Sequence, residues 1–338
     1  MKSEKIKALA LLSGGLDSTL AVKVVQEQGI EVYAINFISP FCRCTSKKRG
    51  CISEAKRVCD EFGVKLKTVY VGKEYIEVIR NPKFGYGKNM NPCIDCRIFM
   101  HKIAGEYMKE IGAKFIITGE VLGQRPMSQR RDTINIIDRE SGLKGLVLRP
   151  LSARYFPETI AEKEGWIDRD KLPAITGRSR KKQMALAEEY GINDYPCPAG
   201  GCLLTDASFA RRLKDLFDNQ REVSMGDINL LKVGRHLRID KETKLVIGRN
   251  EAENNGLKNM LKDEDICFEP VNVQGPSAIL RTNSSQKNIE LAARLIAYYC
   301  KGNGDGITLS AKKHSEDKET FLQTKPADSE EIDKYILR

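Results

Sequence analysis

The tightest constraint on this chain lies within its first twenty residues. Ile6 to Leu12 is a largely apolar run of strand length, and it breaks into Ser13-Gly14-Gly15-Leu16-Asp17-Ser18 before helix formers take over from Thr19 to Glu27. Two glycines at a strand-to-helix turn let the backbone adopt positive φ and come close to a ligand. The helix that follows points its free N–H groups and positive dipole end into the same space, which makes an anion site. No lysine follows the glycines, so this is not the commoner Gly-x4-Gly-Lys-Ser/Thr phosphate loop. Glu31 to Phe37 predicts a second strand, completing a βαβ unit with a parallel sheet. Its end, at Phe37, shares the edge where ligands of open α/β sheets sit.

A length of 338 residues predicts two or three domains with ample core. With 41% hydrophobic and 30% charged residues the chain is globular and not disordered. The net charge of +10 favours a polyanionic partner, nucleic acid being the usual one. Met1-Lys2-Ser3-Glu4-Lys5 followed by an apolar run resembles the start of a signal peptide. It has no small-residue cleavage site and runs into the glycine turn, so a strand is expected instead. No apolar run approaches the ~18 residues that span a membrane, and a cytoplasmic protein without a membrane partner is expected. Ten cysteines in such a chain point to metal or catalysis more than to disulfides.

Those cysteines fall into groups. Cys42, Cys44 and Cys51 could form a small metal site, although their spacing matches no standard zinc pattern. Cys59 falls on the apolar face of a helix opened by Cys51, and is expected in the core. A third strand is expected at Lys65 to Val71 and a loop at Asn81 to Asn91. The loop delivers Asn91-Pro92-Cys93-Ile94-Asp95-Cys96-Arg97 to a helix whose apolar face carries Ile98, Ile103, Ala104, Tyr107, Met108 and Ile111. Thiols at a helix N-terminus beside an arginine are expected to have lowered pKa values. From Arg154 to Tyr195 the chain reads as helical and basic, with Arg178, Arg180, Lys181 and Lys182 as a cluster that is either a solvated face or a nucleic-acid contact. Next, Tyr195-Pro196-Cys197-Pro198-Ala199-Gly200-Gly201-Cys202 predicts an irregular loop. It sets Cys202, or its competitor Cys197, ahead of a helix bearing Arg211, Arg212 and Lys214. Beyond Ser224, Lys232 to Asp240 and Leu245 to Asn250 predict a hairpin, followed by a helix from Glu251 to Leu261. Cys267 and Cys300 lie in apolar surroundings and are expected to be packed.

Several of these segments carry family likenesses. Ser-Gly-Gly-x-Asp-Ser resembles the loop of the ATP pyrophosphatases, which cleave ATP between its α and β phosphates. The resemblance implies that Ser13, Gly14, Gly15 and Ser18 hold pyrophosphate and that Asp17 helps place Mg²⁺. Asn-Pro-x-x-x-Cys is similar to the tRNA 2-thiouridylases, which makes Cys96 the first catalytic cysteine and Cys202 the counterpart, in role, of the second. Thr118-Gly119-Glu120, Gly123-Gln124, Ser128-Gln129 and Arg149-Pro150-Leu151 resemble segments of tRNA 4-thiouridine synthetases, and in these families the strand-end glycine, Gly119 here, contacts the nucleotide, as Phe37 would from its strand. Together these likenesses span about residues 6 to 215. From about 225 to 336, Gly234-Arg235-His236-x-Arg238 and Gly248-Arg249-Asn250 resemble the small RNA-binding domain of NFACT ribosome-associated proteins. That likeness adds a helix near Gln286 to Tyr299, strands near Gly306 to Lys312 and Thr320 to Lys325, and a last helix at Asp328 to Ile336. It nominates Arg235, Arg238 and Arg249, ahead of His236, as phosphate contacts.

The expected fold is therefore α/β: a parallel-sheet nucleotide-hydrolase-like domain over 1–152, a basic helical segment with the second cysteine loop over 153–222, and a smaller α+β RNA-binding domain over 223–338. The implied activity is tRNA sulfurtransfer. A uridine carbonyl oxygen is adenylated by ATP and then replaced by sulfur, giving 4-thiouridine at position 8 or 2-thiouridine at the wobble position. Sulfur would come from a cysteine desulfurase, a carrier protein or inorganic sulfide. Two delivery schemes fit: a persulfide on Cys202 resolved by Cys96, or a [4Fe–4S] cluster on Cys93, Cys96 and Cys202 with one iron open. The alternatives are an enzyme adenylating a small metabolite through the same loop and a non-catalytic RNA- or ribosome-associated protein.

Overall fold

The computed structural model describes residues 5–42, 51–195, 201–281, 285–302 and 306–338. They form two compact units, Met1–Thr205 and Asp206–Arg338. The first contains β1 (Lys7–Leu11), α1 (Leu16–Gln26), β2 (Glu31–Ile38), α2 (Cys51–Phe62), β3 (Lys65–Tyr70), α3 (Lys73–Arg80), α4 (Cys93–Glu110), β4 (Phe115–Thr118), α5 (Arg131–Glu140), β5 (Val147–Leu148), α6 (Ile160–Lys163) and α7 (Lys181–Glu189). Its five strands are all parallel in the order β3-β2-β1-β4-β5.

The central strand β1 is apolar on both faces because both are covered, as parallel strands require. Ala8 and Ala10 pack with Leu16, Leu20 and Val24 of α1 and with Ala187 of α7, whereas Leu9 meets Ala104 and Met108 of α4 on the other side. From β1 the chain builds outward through β2 and β3, then returns to lay β4 on the opposite flank. The connections leaving β1 and β4 thus diverge at one point, the crevice in which open α/β sheets bind ligands.

Two glycines make that crevice tight. Gly14 has φ +76°, and a Cβ there would lie 2.7 Å from the Ala55 nitrogen, so α2 packs directly on the turn. At Gly119, one residue past β4, a Cβ would fall 2.4 Å from the Ser18 nitrogen. Its missing side chain is what lets the first turn of α1 seat against β4.

The second unit contains α8 (Ala207–Asn219), α9 (Met225–Leu230), β6 (Arg235–Arg238), β7 (Lys244–Ile247), α10 (Glu251–Lys258), β8 (Ile266–Pro270), β9 (Ala278–Arg281), α11 (Gln286–Ala297), β10 (Ile307–Lys313), β11 (Glu319–Thr324) and α12 (Ser329–Tyr335). Six antiparallel strands run β11-β10-β8-β9-β7-β6, with Phe268, Leu280, Leu295, Ile296 and Leu309 in the core beneath. Side-chain caps fix several helix starts: Asp206, Ser224, Asn250, Ser285 and Asp328 each accept from a first-turn amide. The boundary expected after residue 222 falls inside this unit. Asp215 of α8 holds Arg238 at 2.7 Å and Lys244 at 2.9 Å, which attaches the helix to the β6–β7 hairpin. Residues 153–205 belong to the first unit, so the expected middle segment is divided between the two. No helix among the described residues is long and apolar enough to cross a membrane.

His236 in β6 is 1% exposed, and its Nε2–H donates to the Val233 carbonyl at 2.8 Å. Burial, with Lys244 and Arg212 adding to it, pushes its pKa well below the usual histidine value, so the ring stays neutral in the fold. An unfolded histidine takes up a proton below about pH 6.5. Stability that is fully present above that pH must therefore fall as the pH drops through it, by up to about 1.4 kcal/mol per pH unit for this group. We expect His236→Gln to flatten the decline in urea midpoint between pH 7.5 and 5.5 relative to the parent chain; equal slopes would show that His236 does not resist protonation.

Candidate functional site

At the end of β1, Ser18 Oγ donates to the Gly15 carbonyl at 2.9 Å and lies 3.1 Å from Ser13 Oγ, while the Gly15 amide lies 3.4 Å from Ser13 Oγ. These bonds shape Ser13 to Ser18 into a cradle. The first helical bond of α1 runs from Thr19 N to the Gly15 carbonyl, so the preceding amides face the crevice with no partner within the helix. A Cβ on Gly15 would meet only Ser13 Oγ, at 3.5 Å, which leaves room for a ligand over the turn. Asp17 Oδ2 accepts from Gln124 Nε2 at 3.1 Å, and Oδ1 is buried with no partner. A single orphaned carboxylate oxygen beside an anion cradle fits a hard divalent cation such as Mg²⁺.

The expected nucleotide contacts are placed unequally. Phe37 is half-buried and packs with Leu11, Ile35 and Tyr33 on the α4 face of the sheet, away from the α1 face that carries the cradle. Its neighbour Asn36 points the other way, donating from Nδ2 to the Leu12 carbonyl at 2.7 Å with Oδ1 orphaned. The period-two alternation of a strand could have flagged Asn36 from sequence alone. Gly119 lies in the crevice, where it receives the α1 backbone.

One residue beyond Gly119, Glu120 anchors a buried charge network. It pairs with Arg149 at 3.0 Å and Arg97 at 3.3 Å, and Arg149 forks onto Asp138 at 2.7 and 3.0 Å. Burial opposes the Glu120 charge, but Arg97 and Arg149 outweigh it and hold the carboxyl at about 2. The network fixes the side chain of Arg97, which follows Cys96 in α4 and acts on both Cys93 and Cys96.

The three expected cysteines share one electrostatic environment. The thiol of half-buried Cys202 is pushed up to about 12, first by burial and then by Cys96, Cys93 and Cys42. Met90 N donates to the Leu204 carbonyl at 3.2 Å and Asn89 Nδ2 to the Thr205 carbonyl at 2.8 Å, binding the two cysteine segments together. The expectation of lowered thiol pKa values is corrected. Burial raises both Cys93 and Cys96, and Arg97 offsets only part of it. The Tyr75 hydroxyl, whose own titration burial pushes upward, shares a hydrogen bond of 2.9 Å with Cys96 Sγ. Tyr75 is wedged between Phe41 and Phe99. Nothing in the sequence separated it from the other apolar residues of α3.

Cys42 belongs with this group. Cys42 and Cys202 face each other in an antiparallel bridge, the Leu203 amide donates to the Phe41 carbonyl at 2.8 Å, and Cys202 Sγ lies 3.6 Å from that carbonyl. Of its expected partners, Cys44 and the side chain of Cys51 lie outside the described residues, as does Cys197. Cys59 is buried in the core as expected. Among the described residues no three Cys, His, Asp or Glu side chains converge on a point that could hold a single metal ion. The donor set of Cys93, Cys96 and Cys202 is all thiol, a ligand type that iron–sulfur clusters take.

In the second unit, Arg238 is fixed by Asp215 in a bidentate pair at 2.7 and 2.8 Å, so it is a structural cation and not a free phosphate contact. Arg235 donates to the Gly248 carbonyl at 2.9 Å and lies over the Tyr299 ring, 4.5 Å from its centroid. Arg249 is exposed and pairs with Glu253 at 2.6 Å. In the first unit, Arg178 and Lys181 are exposed and Arg180 is half-buried.

Comparison with known proteins agrees with both units. Residues 3–160 match the family described as "Thiamine biosynthesis protein (ThiI)", and residues 234–336 match the "NFACT protein RNA binding domain". The two matches fall on the two units, a ThiI-like segment in the first and an NFACT-like segment in the second. A "Probable tRNA sulfurtransferase" of Thermococcus kodakarensis is 31% identical over 169 residues, covering 49% of this chain and 43% of its own length. A "tRNA-specific 2-thiouridylase MnmA" of Pseudomonas putida is 27% identical over 248 residues, covering 69% of this chain and 61% of its own length. The chain therefore spans about half the length of these curated relatives. A solved U34-tRNA thiolase from Methanococcus maripaludis with its [4Fe–4S] cluster superposes at 20% identity and a TM-score of 0.35, covering 68% of this chain and 71% of that one.

Residues facing each other across an antiparallel bridge have Cα atoms about 4.5–5.5 Å apart, within the ~4.4–6.8 Å range of disulfides. Mild oxidation of the metal-free chain with diamide should therefore link Cys42 to Cys202, seen as a cross-linked peptide by mass spectrometry. Recovery of both as free thiols, or linkage of Cys202 to Cys93 instead, would contradict this pairing.

Proposed function

We propose that this chain is an ATP-dependent tRNA thiolation enzyme, acting in the cytoplasm, which adenylates a uridine carbonyl and replaces its oxygen with sulfur. One observation carries the reading. Arg97, one residue past Cys96, pairs with Glu120 at 3.3 Å, and Gly119 just before Glu120 lies against the Ser18 backbone, so the thiol helix and the anion cradle are tied to the same strand end. A nucleotide activated at the cradle is then a short distance from the sulfur chemistry.

Chemically, the uracil oxygen is a poor leaving group until it attacks the α-phosphorus of ATP, which expels pyrophosphate. The first-turn amides of α1, with Ser13, Gly15 and Ser18, would hold the departing pyrophosphate, and the orphaned Asp17 oxygen would hold Mg²⁺, which supplies charge neutralisation when bound. Arg97 and Arg125 keep the cleft cationic where negative charge develops. Sulfur then adds to the activated carbon and AMP departs. Cys93, Cys96 and Cys202 would hold a [4Fe–4S] cluster, which supplies a site for sulfide when bound. Tyr75 fixes the orientation of Cys96 by its hydrogen bond. The sulfur itself comes from a desulfurase, a carrier protein or free sulfide. In the second unit, Arg235 and Arg249 would meet the tRNA backbone.

Asp17→Ala should lower tRNA-dependent AMP formation by about 10²–10³-fold while tRNA binding persists; unchanged turnover would remove the Mg²⁺ role. Cys96→Ala or Cys202→Ala should leave AMP formation largely intact and abolish thiouridine in nucleoside digests analysed by mass spectrometry. Anaerobically purified protein should carry about four irons per chain, and a colourless protein that still thiolates would shift the mechanism to a Cys202 persulfide. Digests of tRNA from cells lacking the protein would identify the uridine.

A further inference from the structure

The basic turn Arg178 to Lys182 was read from sequence as either a solvated face or an RNA contact, but its surroundings point elsewhere. The Gly177 amide and Thr176 Oγ1 both donate to the Leu122 carbonyl, at 2.8 and 2.9 Å. Ser152 Oγ locks the same segment by donating to the Ile175 carbonyl at 2.6 Å and accepting from the Leu122 amide at 3.1 Å. Two residues past Leu122, Gln124 holds Asp17 of the cradle. The chain that opens α7 is therefore pinned along the rim of the cradle.

The far ends of the helices give their relative direction. Lys23, in the last turn of α1, sits 5.9 Å from the ring centroid of Tyr190, which follows the last residue of α7. With their starts tied through Gln124 and their ends through this contact, α1 and α7 run side by side in the same direction. Two turns back from Tyr190 lies Gln183, and two turns back from Lys23 lies the first turn of α1.

Gln183 is fully buried, yet neither its Nε2 nor its Oε1 has a partner. Thr19 Oγ1 in the first turn of α1, Arg180 Nε just before α7 and Asp17 Oδ1 are also buried and unpartnered. Buried polar groups are normally hydrogen-bonded, so a cluster of orphans beside an anion cradle marks where a ligand belongs. A fully buried amide is out of reach of an RNA backbone lying on the surface, and can meet only a ligand small enough to enter between α1 and α7.

We propose that Arg178, Arg180 and Gln183 form the outer wall of the nucleoside triphosphate site, the arginines taking phosphate oxygens and Gln183 bonding the bound nucleotide, and that this turn does not contact tRNA. The assignment rests on the reading of the cradle as an ATP site.

The test measures, on the full-length chain with Mg²⁺, the affinity for an α,β-methylene analogue of ATP by calorimetry and, separately, for tRNA by filter retention. The double variant Arg178→Ala/Arg180→Ala should weaken analogue binding about ten- to a hundredfold and leave tRNA affinity unchanged. Gln183→Met, which removes the orphaned amide at similar volume, should raise or preserve the thermal midpoint of the nucleotide-free chain while weakening the analogue. Loss of tRNA affinity with analogue affinity retained would return the turn to RNA recognition and overturn the assignment. Unchanged analogue affinity in Gln183→Met would make its amide merely structural and remove it from the site. A parent chain that fails to bind the analogue defeats the ATP reading itself. One that binds it through Arg180 but never thiolates tRNA defeats the thiolation reading and leaves this assignment intact.

Discussion

The cleft of the first unit hangs on one carboxylate. Glu120 is 2% exposed and ionised, between Arg97 on α4 and Arg149 beyond β5, and Arg149 continues to Asp138 of α5. Removing one partner of such a buried pair leaves a charge without compensation, at a cost of about 3–5 kcal/mol. The network therefore sets which loops can stand where. It fixes the strand end that carries Gly119, and Gly119 in turn admits the first turn of α1 at van der Waals contact. It also delivers Arg97 to the two thiols at the start of α4. Thr118-Gly119-Glu120 and Arg149-Pro150-Leu151, separate segments in the sequence, are two halves of one scaffold.

That scaffold shapes the reactivity of the thiols. A helix N-terminus and an arginine would by themselves favour thiolates. Here desolvation wins: Cys93 and Cys96 are raised, and Cys202 reaches about 12. Such thiols stay protonated and quiet toward solvent until a metal or an electrophilic sulfur displaces the proton. The Tyr75 hydrogen bond and the Arg97 charge hold their geometry in the meantime.

Much of this was legible in the residues. The βαβ start, the cradle, the Cys93–Cys96 helix and the β6–β7 hairpin follow from hydrophobic period, glycine placement and caps, all local signals. What escaped was non-local. β8 (Ile266–Pro270) ends in Glu-Pro and β9 (Ala278–Arg281) is four residues long, so neither shows a full alternating pattern. They exist because β10 and β7 flank them. The thiol titration could not be read from helix position because it depends on burial, to which segments distant in sequence, such as those of Tyr75 and Phe41, contribute. Cys42 was grouped with its sequence neighbours, whereas a bridge spanning most of the unit assigns it to Cys202. Arg238 looked like a surface cation until Asp215 on α8 was seen to hold it.

The ThiI-family match ends at residue 160, but the architecture does not. Gly177 returns to Leu122, and Leu203 and Leu204 return to Phe41 and Met90, so residues beyond the match are bonded back onto the edge that carries the cradle and the thiols. Anyone transplanting this chemistry into another protein must carry Met1–Thr205 as one indivisible cassette. A graft trimmed to the family boundary would keep the turn after β1 and leave behind Cys202.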